Sequence, residues 1–384
     1  MKKVKSILLS SMIFLNSILF TGCWNYRETD KLSIVAGAAI DKDKSGEISM
    51  TAEILEFSNE RESKASPRTV TIKGKTVFDA ARNGVSIIGR KLYWSHAKVF
   101  IISEQVAREG IVKVIDWIVR DSETRANINI LVARGHSAKE ILKCPKDKNE
   151  ARSFQLERAI VNQRSTSKAT RIQAWEIVNN MSHKGVSVIV PVVELESEIG
   201  KEGPNVVGTA IFKKDKLVGF LNGEETKDML FVQNKVKGGV LVRVEGKSNK
   251  EIPVSLEIFN SKTKVKPVIY DNNITFNINI NITAAIDEIG GSKDFIDESG
   301  RKELEESFEK MLKSRIERLI ERMQKEYNAD IFGLGIKLKE DNLEEWKKIE
   351  DRWEDSFQNV YTNVDVSIYI RNSAILSEPL EIGE

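Results

Sequence analysis

Cysteine is nearly absent: Cys23 and Cys144 are the only two in 384 residues. No disulfide framework can be built from them, and if Cys23 is modified no pair within the chain remains. Cys144, just before Pro145, then reads as a structural thiol. Histidine is as scarce. His96, His136 and His183 stand about 40 residues apart or more, with no His-x-x-x-His pair and no Cys/His cluster, so a zinc site has no ligand set. A Gly-x-Ser-x-Gly elbow and other nucleophile signatures are missing, which leaves hydrolase chemistry without an anchor. Ile72-Lys73-Gly74-Lys75-Thr76 ends like a phosphate loop. Thr69 stands where that motif needs its first glycine, so the match is a chance one. An excess of one charge is also missing, with 59 Lys and Arg against 57 Asp and Glu. That balance argues against a nucleic-acid binder and against a polybasic membrane clamp. Beyond the first 20 residues no run of about 18 apolar residues occurs, so no later segment reads as a membrane span. Internal repeats and low-complexity tracts are absent too. What is left is a globular body with no recognisable catalytic, metal or cofactor constellation.

What is present begins at the N-terminus. Lys2, Lys3 and Lys5 precede an apolar run from Ile7 to Phe20, and Thr21-Gly22 precede Cys23. A basic start, a short apolar core and small residues before a cut site make an export signal over residues 1–22. The run is short for a permanent span, for which about 20 residues are needed. Phe20-Thr21-Gly22-Cys23 resembles the bacterial lipobox, with Phe20 where Leu is usual. That resemblance implies cleavage before Cys23 and a diacylglycerol thioether on its sulfur. Two acyl chains anchor stably where one is marginal. An uncleaved signal anchor with an incidental cysteine is the other reading. Removing 22 of the 384 residues leaves 362, and the loss of three lysines turns the formal charge of +2 into −1. A body of that size holds two or three domains.

The hydrophobic pattern predicts a mixed α+β protein in three parts: 23–145, 146–237 and 238–384. In the first, strands at Leu32–Ile40 and Ile48–Phe57 precede a charged loop at 58–68. A helix from Thr76 to Gly89 carries Val77, Ala80, Ala81, Val85 and Ile88 on one stripe. A strand at Val99–Ile102, a helix at Gln105–Val119 weakened by Gly110, a strand at Ile128–Val132 and a short helix capped by Ser137 follow. This alternation predicts a sheet covered by helices. Two helices are expected within 146–184, a strand at Val186–Val193, a linker or long turn at Ser197–Asn205 and a hairpin around Lys213–Lys216. In the last part Ile274, Phe276, Ile278, Ile280 and Ile282 alternate with Thr and Asn, a strict period of two. Gly290-Gly291 ends that strand. A long helix over 301–327 and a shorter one carrying Leu343, Trp346, Ile349, Trp353 and Phe357 are expected to pack on antiparallel strands, the last at Val364–Ile370. The Trp346, Trp353 and Phe357 stripe reads as core, not as a ligand pocket. Arg120, Asp121, Glu123 and Arg125 read as a solvated helix end.

Several short motifs resemble one family in the same order. Gly22-Cys23-Trp24 is followed by Arg27-Glu28 and by an apolar strand ending in Asp41-Lys42. Ser95-His96-Ala97-Lys98-Val99 leads to Ala107-Arg108-Glu109-Gly110-Ile111 and then Arg120-Asp121-Ser122-Glu123. Asp330-Ile331-Phe332-Gly333-Leu334-Gly335 precedes Trp346 and Trp353, seven residues apart. Together they resemble the Ger(x)C family, the C-subunit lipoproteins of spore nutrient germinant receptors. The resemblance implies three mixed domains on the outer face of the spore inner membrane, anchored through Cys23. It implies partnership with two integral-membrane receptor subunits and no catalytic residues, and it assigns no ligand-binding residue and no cofactor. The body is expected to be monomeric and to bind no nucleic acid. A lipid-anchored solute-binding protein of a transporter is the alternative, and it would need two similar lobes about a hinge.

In a Cys23→Ala variant the signal is expected to stay uncleaved and the diacylglycerol to be missing. Mass spectrometry of the N-terminal peptide checks this, and an unmodified Cys23 in the wild-type protein contradicts it.

Overall fold

Nine strands form the larger of two sheets. They are β1 (Leu32–Lys42), β2 (Ile48–Phe57), β3 (Ala65–Gly74), β4 (Lys91–Tyr93), β5 (Val99–Ser103), β6 (Asn129–Ala133), β7 (Ile189–Glu198), β8 (Lys201–Lys213) and β9 (Lys216–Leu221). The computed structural model describes residues 3–7, 10–11, 31–57, 65–144, 150–198, 201–245, 252–271, 273–289 and 298–371. Cys23 and the residues on either side of it, 12–30, lie outside the described residues, as do Pro145 and the Gly290-Gly291 pair. The strand order is β3-β2-β1-β5-β6-β7-β8-β9, with β4 beside the start of β1. β1, β5, β6 and β7 run parallel at the centre, and antiparallel strands close both sides. β5 and β6 are buried from end to end. Strands of that kind need cover on both faces, because a bare face would leave Val, Ile and Phe in water.

Six helices supply the cover: α1 (Val77–Ile88), α2 (Glu104–Glu109), α3 (Val112–Arg120), α4 (Ala138–Lys143), α5 (Arg152–Asn162) and α6 (Ala174–Ser182). Ala80, Val106, Ile115 and Ile177, from α1, α2, α3 and α6, join Val35, Met50, Phe100 and Ile130 in one apolar layer. Ile141, Leu156 and Ile160, from α4 and α5, join Ala39, Val99, Ile101 and Leu131 in the layer beneath. Strands before and after residue 145 thus share one sheet.

The rest of the chain adds α7 (Gly223–Val232), β10 (Val240–Glu245), β11 (Ile252–Tyr270), β12 (Asn273–Ile289), α8 (Glu298–Arg322), α9 (Leu334–Asp341), α10 (Leu343–Ile349), α11 (Trp353–Phe357) and β13 (Tyr361–Arg371). Its four-stranded sheet has the order β10-β11-β12-β13. Leu304, Phe308, Leu312 and Ile316 of α8 join Phe276, Ile278, Ile280 and Ile282 of β12 in one apolar cluster, with α8 lying along β13, whose Ile368 and Ile370 amides donate to Glu309 and Glu305. The same apolar cluster takes in Ile189, Ile211 and Leu221 of the larger sheet, so the two sheets share a core.

The α+β class is as expected, and so are several details. Thr76 Oγ1 accepts from Asp79 N at 3.0 Å and caps α1. Ser137 and Glu140 form a reciprocal capping box on α4. The hairpin around Lys213–Lys216 is β8–β9. Cys144 is buried at the end of α4. Trp346, Trp353 and Phe357 are buried in the core, as their stripe predicts.

Other expectations give way to tertiary contacts. The helix expected over Gln105–Val119 is two helices, because Gly110 takes φ +133°. Ser197–Asn205 is not a linker but the tip of the β7–β8 hairpin, with Gly203 paired to Glu196 and Pro204 to Leu195. The charged loop at 58–68 gives way at Ala65 to β3, an edge strand that tolerates Pro67. The helix expected over Leu343–Phe357 is α10 and α11 joined by a 3₁₀ turn. β12 and β13 are parallel, not antiparallel, because the helices between them carry the chain back to the same end.

One buried carboxylate joins these parts. Asp330 Oδ1 accepts from the amides of Gly333 (2.9 Å) and Leu334 (3.1 Å), and Oδ2 from Gly335 N (2.9 Å) and Trp353 Nε1 (3.1 Å). Its carbonyl takes the Ser187 amide at 2.8 Å, and Ile336 N reaches Gly185 O at 3.2 Å. A Cβ at Gly335 would lie 2.5 Å from Gly185 Cα and 2.7 Å from the Trp353 ring, so only glycine fits. Burial pushes the Asp330 carboxyl up to about 6, against the pull of its four donors.

That shift has a sign. A carboxyl whose folded pKa lies above its unfolded value binds more protons when folded, so its contribution to stability falls as pH rises between the two. Asparagine does not titrate. In Asp330→Asn the stability gap to wild type is therefore expected to narrow as pH rises from 3.8 to about 6, by roughly 1.4 kcal/mol per unit, and then to stay constant. Urea unfolding at several pH values measures this, and a pH-independent gap contradicts it.

Candidate functional site

Residues from three of the sequence motifs of the N-terminal half, Asp41-Lys42, Ala107–Ile111 and Arg120–Glu123, line one cleft of about 1450 Å³. Lys42 closes β1 at one end of it. Glu109 and Gly110 come from the end of α2, and Arg120, Asp121 and Ser122 from the end of α3. The start of α1 and the β8–β9 turn, through Lys214 and Asp215, complete the walls. Ile48, Val77, Val106, Val114, Trp117 and Met181 line it with apolar groups. Trp117 stacks on Phe100 with 7° between planes and meets Trp94 edge-on. Two large apolar side chains on its wall, Phe78 and Val112, are 47% and 46% exposed.

The rim is ionic and mixed. Lys42 pairs with Glu109 across the gap between β1 and α2. That hydrogen bond holds the Glu109 carboxyl below the usual range. Arg120 forks onto Asp116 at 2.6 and 3.0 Å, and this contact lowers Asp116 likewise. Arg82 of α1 lies 3.6 Å from Glu123 and 4.0 Å from Asp121. Lys91 also pairs with Glu123, and Ser95 Oγ donates to the Glu123 carbonyl at 2.9 Å. The Asp121 and Glu123 side chains are 7% and 11% exposed. The solvated helix end expected of Arg120, Asp121, Glu123 and Arg125 holds for Arg120 and Arg125, which are exposed, and is corrected for Asp121 and Glu123, which tie the end of α3 to α1 and β4. Sequence reasoning missed this tie because the partners, Arg82, Lys91 and Ser95, lie at least 28 residues away on other elements. Spacing within α3 carries no trace of them.

The cleft thus combines an apolar lining with paired charges at its rim. Among the described residues no group of His, Cys, Asp and Glu could hold a metal ion. His96 lies in a 3₁₀ turn after β4, His136 in the loop after β6, and His183 at the end of α6. The three are not brought together. Lys75 and Thr76 do line the cleft, but the Lys75 amide is taken by Asp79 Oδ2 and the Asp79 amide by Thr76 Oγ1. A smaller crevice of about 450 Å³ sits where β1, β5 and β6 end. The chain leaves β1 and β5 in opposite directions there, a place that often binds ligands in parallel sheets. Its polar groups are engaged with one another: Asp41 accepts from Ala138 N and Lys139 N at 2.9 Å, and Ser137 and Glu140 cap each other. No described helix is long and apolar enough to cross a membrane.

The comparisons with known proteins agree over nearly the whole chain. Residues 25–195 match the family model described as spore germination protein N-terminal domain. Residues 207–374 match the model described as spore germination B3/GerAC like, C-terminal. Spore germination protein B3 of Bacillus subtilis (strain 168) is 27% identical, over 94% of this chain and 96% of that one. Spore germination protein KC of the same strain is 21% identical over 98% of each. The crystal structure of the GerBC protein superposes with a TM-score of 0.56 at 25% identity, covering 88% of this chain and 97% of that one.

Gly110 is the hinge of the cleft wall. Its φ of +133° is a region that L side chains rarely adopt, and a Cβ there would lie 2.4 Å from Asp215 Oδ2. Ile111 N also donates to the Asp215 carbonyl at 3.0 Å, which fixes the β8–β9 turn against α2 and α3. Gly110→Ala is expected to lower stability by about 1–3 kcal/mol. Denaturant unfolding checks it, and a Gly110→Ala protein as stable as wild type would show that the turn is free to move.

Proposed function

As a member of the Ger(x)C family of spore germination proteins, the chain works, we propose, as the lipid-anchored C subunit of a spore nutrient germinant receptor. In this reading it acts by contact, not by catalysis. Diacylglyceryl Cys23 holds it at the outer face of the spore inner membrane, and it engages two integral-membrane subunits there. The observation that carries the reading is the convergence of Lys42, Glu109-Gly110 and Arg120–Ser122 on one cleft with exposed Phe78 and Val112. Apolar groups inside a polar rim have the anatomy of a protein interface. An anchor adds to such a contact by raising the effective concentration of the two partners at one surface. The solute-binding alternative needs two similar lobes, whereas the two sheets here differ in strand number and order.

The test pairs Phe78→Ser with Val112→Ser in the full-length chain. Both side chains are half exposed, so the variant is expected to fold as wild type. Loss of buried apolar anchors typically costs about 2 kcal/mol, or about 30-fold in affinity. Spores carrying it are expected to recover less of the membrane subunits on co-purification and to respond poorly to nutrients. A germination trigger that bypasses receptors should still work. A normal nutrient response with normal recovery overturns the assignment of the cleft. A normal nutrient response in spores lacking the protein, with no redundant receptor, overturns the receptor reading itself.

A further inference from the structure

The outer face of the second sheet is open to solvent and is built in register. Lys262, Asn281 and Ser367 stand side by side on β11, β12 and β13. Lys264, Asn279 and Asp365 form the next row, and Lys266, Asn277 and Asn363 the third. The rows beyond them end in tyrosine, Asn260–Thr283–Tyr369 on one side and Val268–Thr275–Tyr361 on the other. Tyr361 and Tyr369 are 63% and 64% exposed. Outward residues on one strand are about 6.8 Å apart, and neighbouring strands about 4.8 Å. Among the described residues none of the three lysines has an acidic partner within ion-pair distance. The face therefore presents a lysine column, an Asn/Thr column and, along β13, Asn363, Asp365 and Ser367 between two tyrosines about 27 Å apart, so that the one acid in these rows, Asp365, stands two strands away from the three lysines.

We propose that this face binds an acidic glycan, a chain of carboxylate-bearing sugars laid along the strands. Charge complementarity carries the choice: unpaired ammonium groups at a fixed repeat call for anions at a repeat. The Asn and Thr column offers amide and hydroxyl donors and acceptors to sugar hydroxyls. The tyrosines present apolar ring faces with a polar tip to sugars at either end. A bilayer is a poorer occupant, since surface-bound segments dip Trp, Phe or Leu into lipid, and the described part of this face offers Val268 as its sole aliphatic within these rows. A folded protein is a poorer one too, because lysine is depleted from interface cores. Edge protection against strand pairing accounts for charge on β11 beyond its pairing with β10. It does not account for the column on β12, which is paired on both sides and carries asparagine, a residue depleted in strands.

The experiment titrates the full-length chain, reconstituted in uncharged phosphatidylcholine nanodiscs, with hexameric galacturonate. Its methyl ester, polyglutamate and phosphatidylglycerol vesicles serve as comparison probes. Wild type is expected to bind the acid more tightly than the ester, polyglutamate or the vesicles. Replacing Lys262, Lys264 and Lys266 together by Ser should weaken binding about tenfold, as three solvated charge contacts would. Tyr361→Ser with Tyr369→Ser should weaken it separately. Both sets are exposed, so circular dichroism and the thermal midpoint should not change. Absence of galacturonate binding overturns the proposal, as does wild-type affinity in the lysine triple. Equal binding of polyglutamate or of the vesicles also overturns it, in favour of an acidic protein or a membrane. A lysine triple that aggregates while wild type binds no probe assigns these lysines to edge protection instead.

Discussion

Three buried carboxylates serve the amides that open helices, two of them from far along the chain and the third, Asp330, from the turn just before its helix. Asp41, at the end of β1, accepts from Ala138 and Lys139 at the start of α4, 97 and 98 residues away. Glu53, in the middle of β2 and fully buried, accepts from Arg152 N, Ser153 N and Ser153 Oγ at the start of α5. Asp330 does the same for α9 and takes the Trp353 indole as well. The first amides of a helix have no partner within it, and the helix dipole favours negative charge there. A buried carboxylate is costly unless it is hydrogen-bonded. Each need satisfies the other, and neither can be dropped alone.

The rest of the architecture follows from that exchange. The layer under the larger sheet is made by α4 and α5, both short. Helices of six and eleven residues have little stability of their own. Glu53 and Asp41 place them against β1, β5 and β6, where Leu156, Ile160 and Ile141 complete the burial. With the lower layer held, the opposite face is free to present α1, α2 and α3 with a cleft between them. Asp330 works at a larger scale, because its loop reaches both the segment before β7 and the core of the second sheet. A second ionic group reinforces that junction: Arg315 of α8 forks onto Asp228 of α7 at 2.9 Å and reaches Glu224 at 3.0 Å.

The two exposed features of interest differ in chemistry, as their surroundings require. The cleft is apolar within and ionic at the rim, and its walls come from helices tied to one another by ion pairs and by the Ile111–Asp215 hydrogen bond. The outer face of the second sheet is polar over its central rows, and its spacing there is set by the backbone register of β11, β12 and β13. A surface of the first kind suits shape-matched protein contact, and one of the second kind suits a repeating ligand. Both lie on a body whose charge is balanced overall, so selectivity has to come from local placement and not from net charge.

Much of this was legible beforehand, for reasons that are local. The stripes of α1 and α8, the caps Thr76 and Ser137 and the alternation of β12 depend on neighbours within a few residues. So does the burial of Trp346, Trp353 and Phe357, which follows from helical spacing. The order of the motifs pointed to the family, and the motif residues turned out to be the clamps and walls just described. Nothing local could show that Asp41 serves α4, that Asp121 and Glu123 face α1 and β4, or that Gly110 divides a helix because Asp215 occupies the space beside it. Nor could it show that β13 returns parallel to β12, which sets Lys, Asn and Tyr side by side. Those facts depend on partners tens of residues away, whose approach is decided by packing of the whole core. The sequence by itself determined the elements and their apolar faces; the tertiary structure alone decided which polar groups meet, because a buried charge must find its partner wherever the chain happens to bring one.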